Sequence, residues 1–217
     1  GFKGANGENV RGVSAFDLAD GISMSAVGFD PVLFVADGGN DAADGKTAAT
    51  AKKTLRAAVA AMPAGGTVVV SGSLTVGSET LAATDKALRI VGNAGGRDFG
   101  GTLTVSGTLT LGGETEISDL RLGGAGKIDA AGHPFTVGDG VSGGSLTLDG
   151  GMGAASHGIV IRSGNFAAAS GGKTAAGART YVLLLGGHVG TLAGKSAGSA
   201  GEGFVSVRGG SADKGYT

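Results

Sequence analysis

Ile159-Val160-Ile161-Arg162-Ser163-Gly164, Val182-Leu183-Leu184-Leu185-Gly186-Gly187 and Val205-Ser206-Val207-Arg208-Gly209-Gly210 are three renderings of one pattern: a branched apolar strand closed by a turn that ends in glycine. The closing turns begin at Arg162, Leu185 and Arg208, so the interval is the same both times and falls in the low twenties. A period in the twenties with a short strand set in each repeat is the mark of a solenoid. A sandwich of hairpins would need Asn-Gly or Asp-Gly turns between adjacent strands. Asp44-Gly45, Asp139-Gly140 and Asp149-Gly150 are too few to join about ten strands in that way.

The same grammar runs upstream. Thr67-Val68-Val69-Val70, Ser73-Leu74-Thr75-Val76, Leu88-Arg89-Ile90-Val91, Thr102-Leu103-Thr104-Val105, Thr108-Leu109-Thr110-Leu111 and Ser145-Leu146-Thr147-Leu148 are strand-sized runs. Most of them alternate a polar with a branched apolar residue, the period of a strand buried on one face. Val32-Leu33-Phe34-Val35 reads as a fully buried strand. Between it and the first coil, about residues 50–62 form an amphipathic helix with Leu55, Val59 and Met62 on one face, Thr47 or Thr50 as N-cap, and Pro63 and Gly65-Gly66 as the stop. This helix is placed to cover the open first rung of the column. The expected fold is therefore all-β: a single-stranded right-handed parallel β-helix over residues 31–217 with an N-terminal capping helix. Residues 1–30 form a separate N-terminal segment in which Val10–Phe16 and Ile22–Val27 read as short strands.

Composition sets the outer bounds. The 217 residues carry 17 basic and 18 acidic side chains, a net charge of −1. That balance argues against a nucleic-acid footprint and supplies no polybasic membrane signal. No apolar run approaches the roughly 20 residues of a membrane span. There is no cysteine, which removes disulfides, thiolate metal sites and cysteine nucleophiles. The 47 glycines keep no three-residue period and are read as corner residues of a coil. The abrupt beginning and end read as those of a fragment of a longer chain.

Two stretches, FVADGGNDAADGKT (34–47) and TLRAAVAAMPAGGTVVVSGSLTV (54–76), resemble the N-terminal segment of pectate-lyase-like right-handed β-helix proteins. Arg162-Ser163-Gly164-Asn165-Phe166 and Leu185-Gly186-Gly187-His188-Val189 are similar to the later turns of that superfamily. The resemblance spans about residues 32–210. It implies the fold and an extracellular or cell-surface location. It leaves activity open, because the superfamily includes lyases, glycosidases, adhesins and phage tail proteins.

Chemistry-bearing residues are sparse. Asp37, Asn40, Asp41 and Asp44 place four oxygen-bearing side chains in one loop, which suits a hard cation such as calcium; the same residues also make ordinary Asx turns. Asn40 stands where a phosphate-binding loop needs glycine. Asp119, Asp129, Asp139 and Asp149 recur at every tenth position, so alternate members stack if a rung takes about twenty. His133, His157 and His188 lie far apart, and no catalytic residue or bound cofactor is assigned. Thr102/Thr104 and Thr108/Thr110 are too close to be equivalent positions on successive rungs. Tyr181 and Tyr216 are the only tyrosines available to stack a sugar. The expected function is a non-catalytic adhesive or structural module with a polysaccharide or host glycan as partner. The alternative is a polysaccharide lyase or glycoside hydrolase acting on an acidic polysaccharide, its groove sought in 123–145.

Overall fold

The computed structural model describes residues 31–216. The two strands read at Val10–Phe16 and Ile22–Val27 lie outside the described residues. From Pro31 the chain winds as a parallel β-helix. Eight strands, each paired in parallel with the next, form face one: Val32–Val35, Gly66–Val70, Leu88–Val91, Thr115–Ser118, Phe135–Val137, His157–Ile161, Arg179–Leu184 and Glu202–Val207. Seven coil-to-coil steps at the usual strand spacing give a column about 34 Å long.

Face two holds only Ser73–Val76, Thr102–Val105 and Arg121–Gly123. Face three runs from Glu79–Thr80 through Thr108–Thr110, Lys127–Asp129, Leu146–Asp149, Asn165–Ser170 and His188–Ala193 to Ser211–Tyr216. The first coils are thus three-sided. After Ser142 face two vanishes, and in the last coils the short Arg162-Ser163-Gly164 turn leads straight from face one to face three.

Register makes the core. On face one, Leu33, Val68, Ile90, Ile117, Val137, Ile161, Leu184 and Val207 are successive direct partners. On face three the column is Leu109, Ile128, Leu148, Ala169 and Leu192. All but the two ends of the face-one column are fully enclosed in one continuous hydrophobic cluster. The repeat interval seen in the sequence is this register: Ile161 lies against Leu184, and Leu184 against Val207. The other coils differ in length. The coil from Glu116 to Thr136 is the shortest, and the one from Arg89 to Glu116 is markedly longer.

That longer coil contains an insertion. Asn93–Ala94 and Arg97–Asp98 form a small antiparallel hairpin. It folds back over the outside of face one, where Phe34, Val69 and Val91 build a second, smaller core with Ala51, Ala94 and Phe99. Phe34 and Phe99 meet edge to face at 5.1 Å. The side loop thus lies at 93–98, and the start of the 123–145 segment belongs to the shortest coil instead.

The N-terminal end is sealed, with a helix shorter than the sequence suggests. Residues 48–50 make one 3-10 turn capped by Thr47, and α1 spans only Leu55–Ala60, capped by Thr54. The interruption has a direct cause. Lys52 pairs with the free edge of the first strand: the Lys52 N–H donates to the Phe34 carbonyl, and the Lys52 carbonyl accepts from the Ala36 N–H. The Phe34 N–H donates to the Gly45 carbonyl. The segment therefore gives up helix to satisfy an edge that would otherwise be exposed. Leu55, Ala58, Val59 and Met62 still turn inward and close the end of the core.

Ile128 sits between Leu109 and Leu148 with no exposure. Ile128→Ala is expected to cost about 3 kcal/mol of unfolding free energy through lost burial and the cavity left behind. Thr147→Ala, on the outer side of the same sheet, is expected to cost under about 0.5 kcal/mol. Denaturant titration of both variants checks the assignment of inside and outside.

Candidate functional site

The loop that suggested a cation site is a structural clasp. Asp41 accepts from the Lys53 and Thr54 N–H groups with Oδ1, at 2.8 and 2.9 Å, and from the Thr54 hydroxyl with Oδ2. Asp37 accepts from the Thr75 N–H at 2.8 Å and its hydroxyl at 3.3 Å, tying the loop to the first strand of face two. Asn40 closes an Asx turn on Ala42. Asp44 accepts from the Thr50 hydroxyl at 2.7 Å and the Lys46 N–H, and these two bonds hold its carboxyl below the ordinary carboxylate range. The buried Lys52 ammonium donates to the Asp41 and Ala43 carbonyls. The four side chains therefore face four different sets of donors. Among the described residues no three His, Asp or Glu side chains gather as metal ligands.

The regular aspartate spacing becomes real stacking. Asp129 is the direct partner of Asp149, and the Asp119 N–H donates to the Asp139 carbonyl. Two carboxylates stacked on one sheet face repel unless a cation intervenes. Lys127 supplies it, 2.8 Å from Asp129 Oδ2 and 3.7 Å from Asp149 Oδ2. The hydrogen bond to Asp129 raises the Lys127 ammonium above the ordinary lysine value, desolvation opposes it, and the two carboxylate charges add to the rise.

A cleft of about 200 Å³ opens where face one turns into face two. Asp98, Thr102, Asp119, Arg121 and Ser142 supply its polar groups, and glycines at 100, 101 and 140 leave it open. The hairpin at 93–98 brings Asp98 to its rim, and Asp98 Oδ1 is already engaged by the Gly100 N–H. Asp119 is held at φ +48°, a left-handed conformation that costs an ordinary residue about 1–2 kcal/mol. The surrounding coils enforce it: the Asp119 N–H donates to Asp139, and its carbonyl accepts from Gly92. Gly140, itself at positive φ, leaves bare the space that Asp119 Oδ1 occupies. Arg121 is exposed and makes no ion pair among the described residues, with Asp98, Asp119 or any other carboxylate.

The histidines remain separate. His157 is buried with Nδ1 on the Ala155 carbonyl, and Nε2 has no hydrogen-bond partner among the described residues. His188 lies on the outer side of face three between Ser211, at 2.9 Å, and Asp213, at 3.6 Å. This serine, histidine and aspartate contact arises from neighbouring strands and lines no part of the cleft. Thr102/Thr104 and Thr108/Thr110 fall on different faces of one coil, as their spacing requires.

Fold and cleft together define a parallel β-helix protein with a polar side cleft. Comparison with protein-family models, with curated proteins and with solved structures finds no match to the chain. No helix of the described residues is long and apolar enough to cross a membrane.

Two measurements follow from these geometries. Asp119→Gly relieves the left-handed strain and is expected to raise stability by about 0.5–1 kcal/mol, read by denaturant midpoint. The Lys127 contribution is complete below the ordinary lysine pKa of about 10.4 and is lost as pH rises through the raised folded-state value. Stability scanned from about pH 9 to about pH 12 is therefore expected to fall more steeply in the native protein than in Lys127→Met.

Proposed function

We propose that this chain is a non-catalytic β-helix module of a cell-surface or secreted protein, serving as a stiff adhesive or structural element with a glycan as its partner. The observation that carries this reading is the state of the cleft. Its guanidinium, on Arg121, stands apart from the two carboxylates, and no histidine lines it. Acid–base chemistry needs a donor and an acceptor within hydrogen-bond reach of one another or of a shared proton. Separate, exposed polar groups instead suit reversible hydrogen bonding to a hydroxylated ligand. The likeness of the 34–47 and 54–76 stretches to extracellular β-helix proteins supports the location.

A polysaccharide lyase or hydrolase is the second reading. The observation in its favour is that Asp98, Asp119 and Arg121 share one side cleft on a parallel β-helix. The two readings part in a simple assay. The protein is incubated with polygalacturonate and with alginate, with and without calcium, and the ultraviolet absorbance of unsaturated product and the release of reducing ends are followed. The module reading expects neither signal from any substrate. Turnover that disappears in Asp119→Asn would replace it with the enzymatic one.

A further inference from the structure

The two ends of the column are built differently. At the first coil, Gly45, Lys52 and the inward side of α1 cover the strand edge and the core. At the last coil, no described element lies over Glu202–Val207 or Ser211–Tyr216. Val182 and Leu184 are fully enclosed, yet their direct partners one coil on, Val205 and Val207, are partly buried and 51% exposed. Ala212, which packs on the core from face three, is also only partly covered.

The backbone of this edge has a definite polarity. The Glu202 N–H donates to the Ala178 carbonyl and the Arg208 N–H to the Leu184 carbonyl, both in the coil below. Successive residues of a strand bond to opposite sides. The peptide groups of Gly203, Val205 and Val207 therefore point off the end of the column. They belong to the same residues that carry the inward apolar column.

We propose that this end pairs with the same end of a second copy of the chain, through a two-fold axis that crosses both sheets and runs through Val205. Such an axis reverses the strands, so the two edges meet antiparallel. Val205 then lies opposite Val205 of the second copy, and Gly203 opposite Val207, as hydrogen-bonded pairs with apolar side chains inward. Glu202 lies opposite Arg208 at both ends of the ladder, as close pairs of opposite charge. Arg208 makes no ion pair within the chain among the described residues, and Arg179 takes only Oε2 of Glu202. Centres at Phe204 or Ser206 would keep the hydrogen bonds in phase but place Glu202 opposite Ser206 or Gly210, losing both ion pairs. The sealed first coil offers no equivalent edge, so pairing stops at two. Strands of about 20 Å on sheets about 10 Å apart give a footprint of roughly 400 Å² per molecule with the outer side chains. That is small for a specific interface and sets a reversible dimer in the micromolar range. The inference concerns assembly and stands whether the cleft binds a glycan or cleaves one.

The test is sedimentation equilibrium of the whole chain, with thermal melts of every variant to separate lost association from lost folding. The native chain is expected to pass reversibly from monomer to dimer with rising concentration. Arg208→Glu and Glu202→Arg each set like charges opposite one another and are expected to weaken the dimer about tenfold or more. An equimolar mixture of these two variants restores both opposite-charge pairs and is expected to dimerise as the native chain does. The register has its own readout, because the chain contains no cysteine. Val205→Cys puts two thiols on the axis with Cα atoms about 5.5 Å apart, and is expected to cross-link on mild oxidation. Val207→Cys puts them about 15 Å apart and is expected not to. A chain that stays monomeric up to about 1 mM, where even millimolar affinity would show, leaves the edge to some other occupant and overturns the proposal. So do species larger than a dimer, association undiminished in both folded charge variants, a mixture no better than its components, or cross-linking at 207 in place of 205.

Discussion

The whole column depends on one constraint: each strand must lie in register on its counterpart one coil below. Parallel pairing does this with hydrogen bonds, but the bonds alone are indifferent to a slip along the strand that restores the pleat. Side-chain stacking removes that indifference. Val137 over Ile117 and Ile161 over Val137 fit only when each coil returns its inward residues to the same place. A one-residue slip would turn every inward residue outward. Because the strands between the two ends are each clamped on both sides, an error at one coil is felt by its neighbours. The corners carry the variation that the strands cannot tolerate, so the short coil ending at Thr136 and the long one ending at Glu116 coexist in one register.

An ordered stack needs beginnings that do not propagate. The first strand would present a row of unpaired peptide groups and an open hydrophobic end. The segment from Gly45 to Lys52 answers the first problem with backbone bonds, and α1 with the turn after it answers the second with Leu55, Val59 and Met62. The aspartates of the loop before them serve that arrangement. Asp41 ties the start of α1, Asp37 ties the loop to Thr75, and the sequence feature that most resembled a cation site is the fastening of the cap.

What was legible in the sequence is what repeats. Thr-Leu-Thr-Val alternation and the interval from Arg162 to Arg208 were enough for a coil, because strand period and coil period are both properties of a single chain read in order. Leu55, Val59 and Met62 announced a buried helical face for the same reason. The length of that helix was not legible: whether Lys52 continues a helix or pairs with Phe34 is decided by an unsatisfied edge elsewhere. Neither was the hairpin at 93–98, whose apolar cover, Phe99, reads as an isolated aromatic until Phe34 and Val69 are placed beneath it. Asp119 gave no sign of its left-handed backbone, since its neighbours Gly92 and Asp139 come from other coils. The aspartate spacing lay between these cases. Its stacking follows from the short coils of that region, whereas the lysine that makes stacking tolerable is found only in the register of Lys127 beside Asp129 and Asp149.

The same logic explains why surface function in this fold is a property of columns. A residue on the outer side of a strand has, as its floor and ceiling, whatever occupies the same register one coil below and above. Tyr181 can bring its side chain against position 158 because that residue is glycine, although a full coil of chain separates the two. Phe204, one coil higher, has Tyr181 for its floor and Arg179 across its ring. A Cβ at position 158 would come 2.4 Å from the Tyr181 carbonyl oxygen, so replacing that glycine would disturb the strand pairing as well as the ring. Such a fold separates the problem of standing from the problem of binding. The inward residues are held by stacking and tolerate little change. The outward residues are constrained only pairwise, so a recognition surface can be assembled on one face while another face, with its Thr147 and Thr191, stays a plain polar wall.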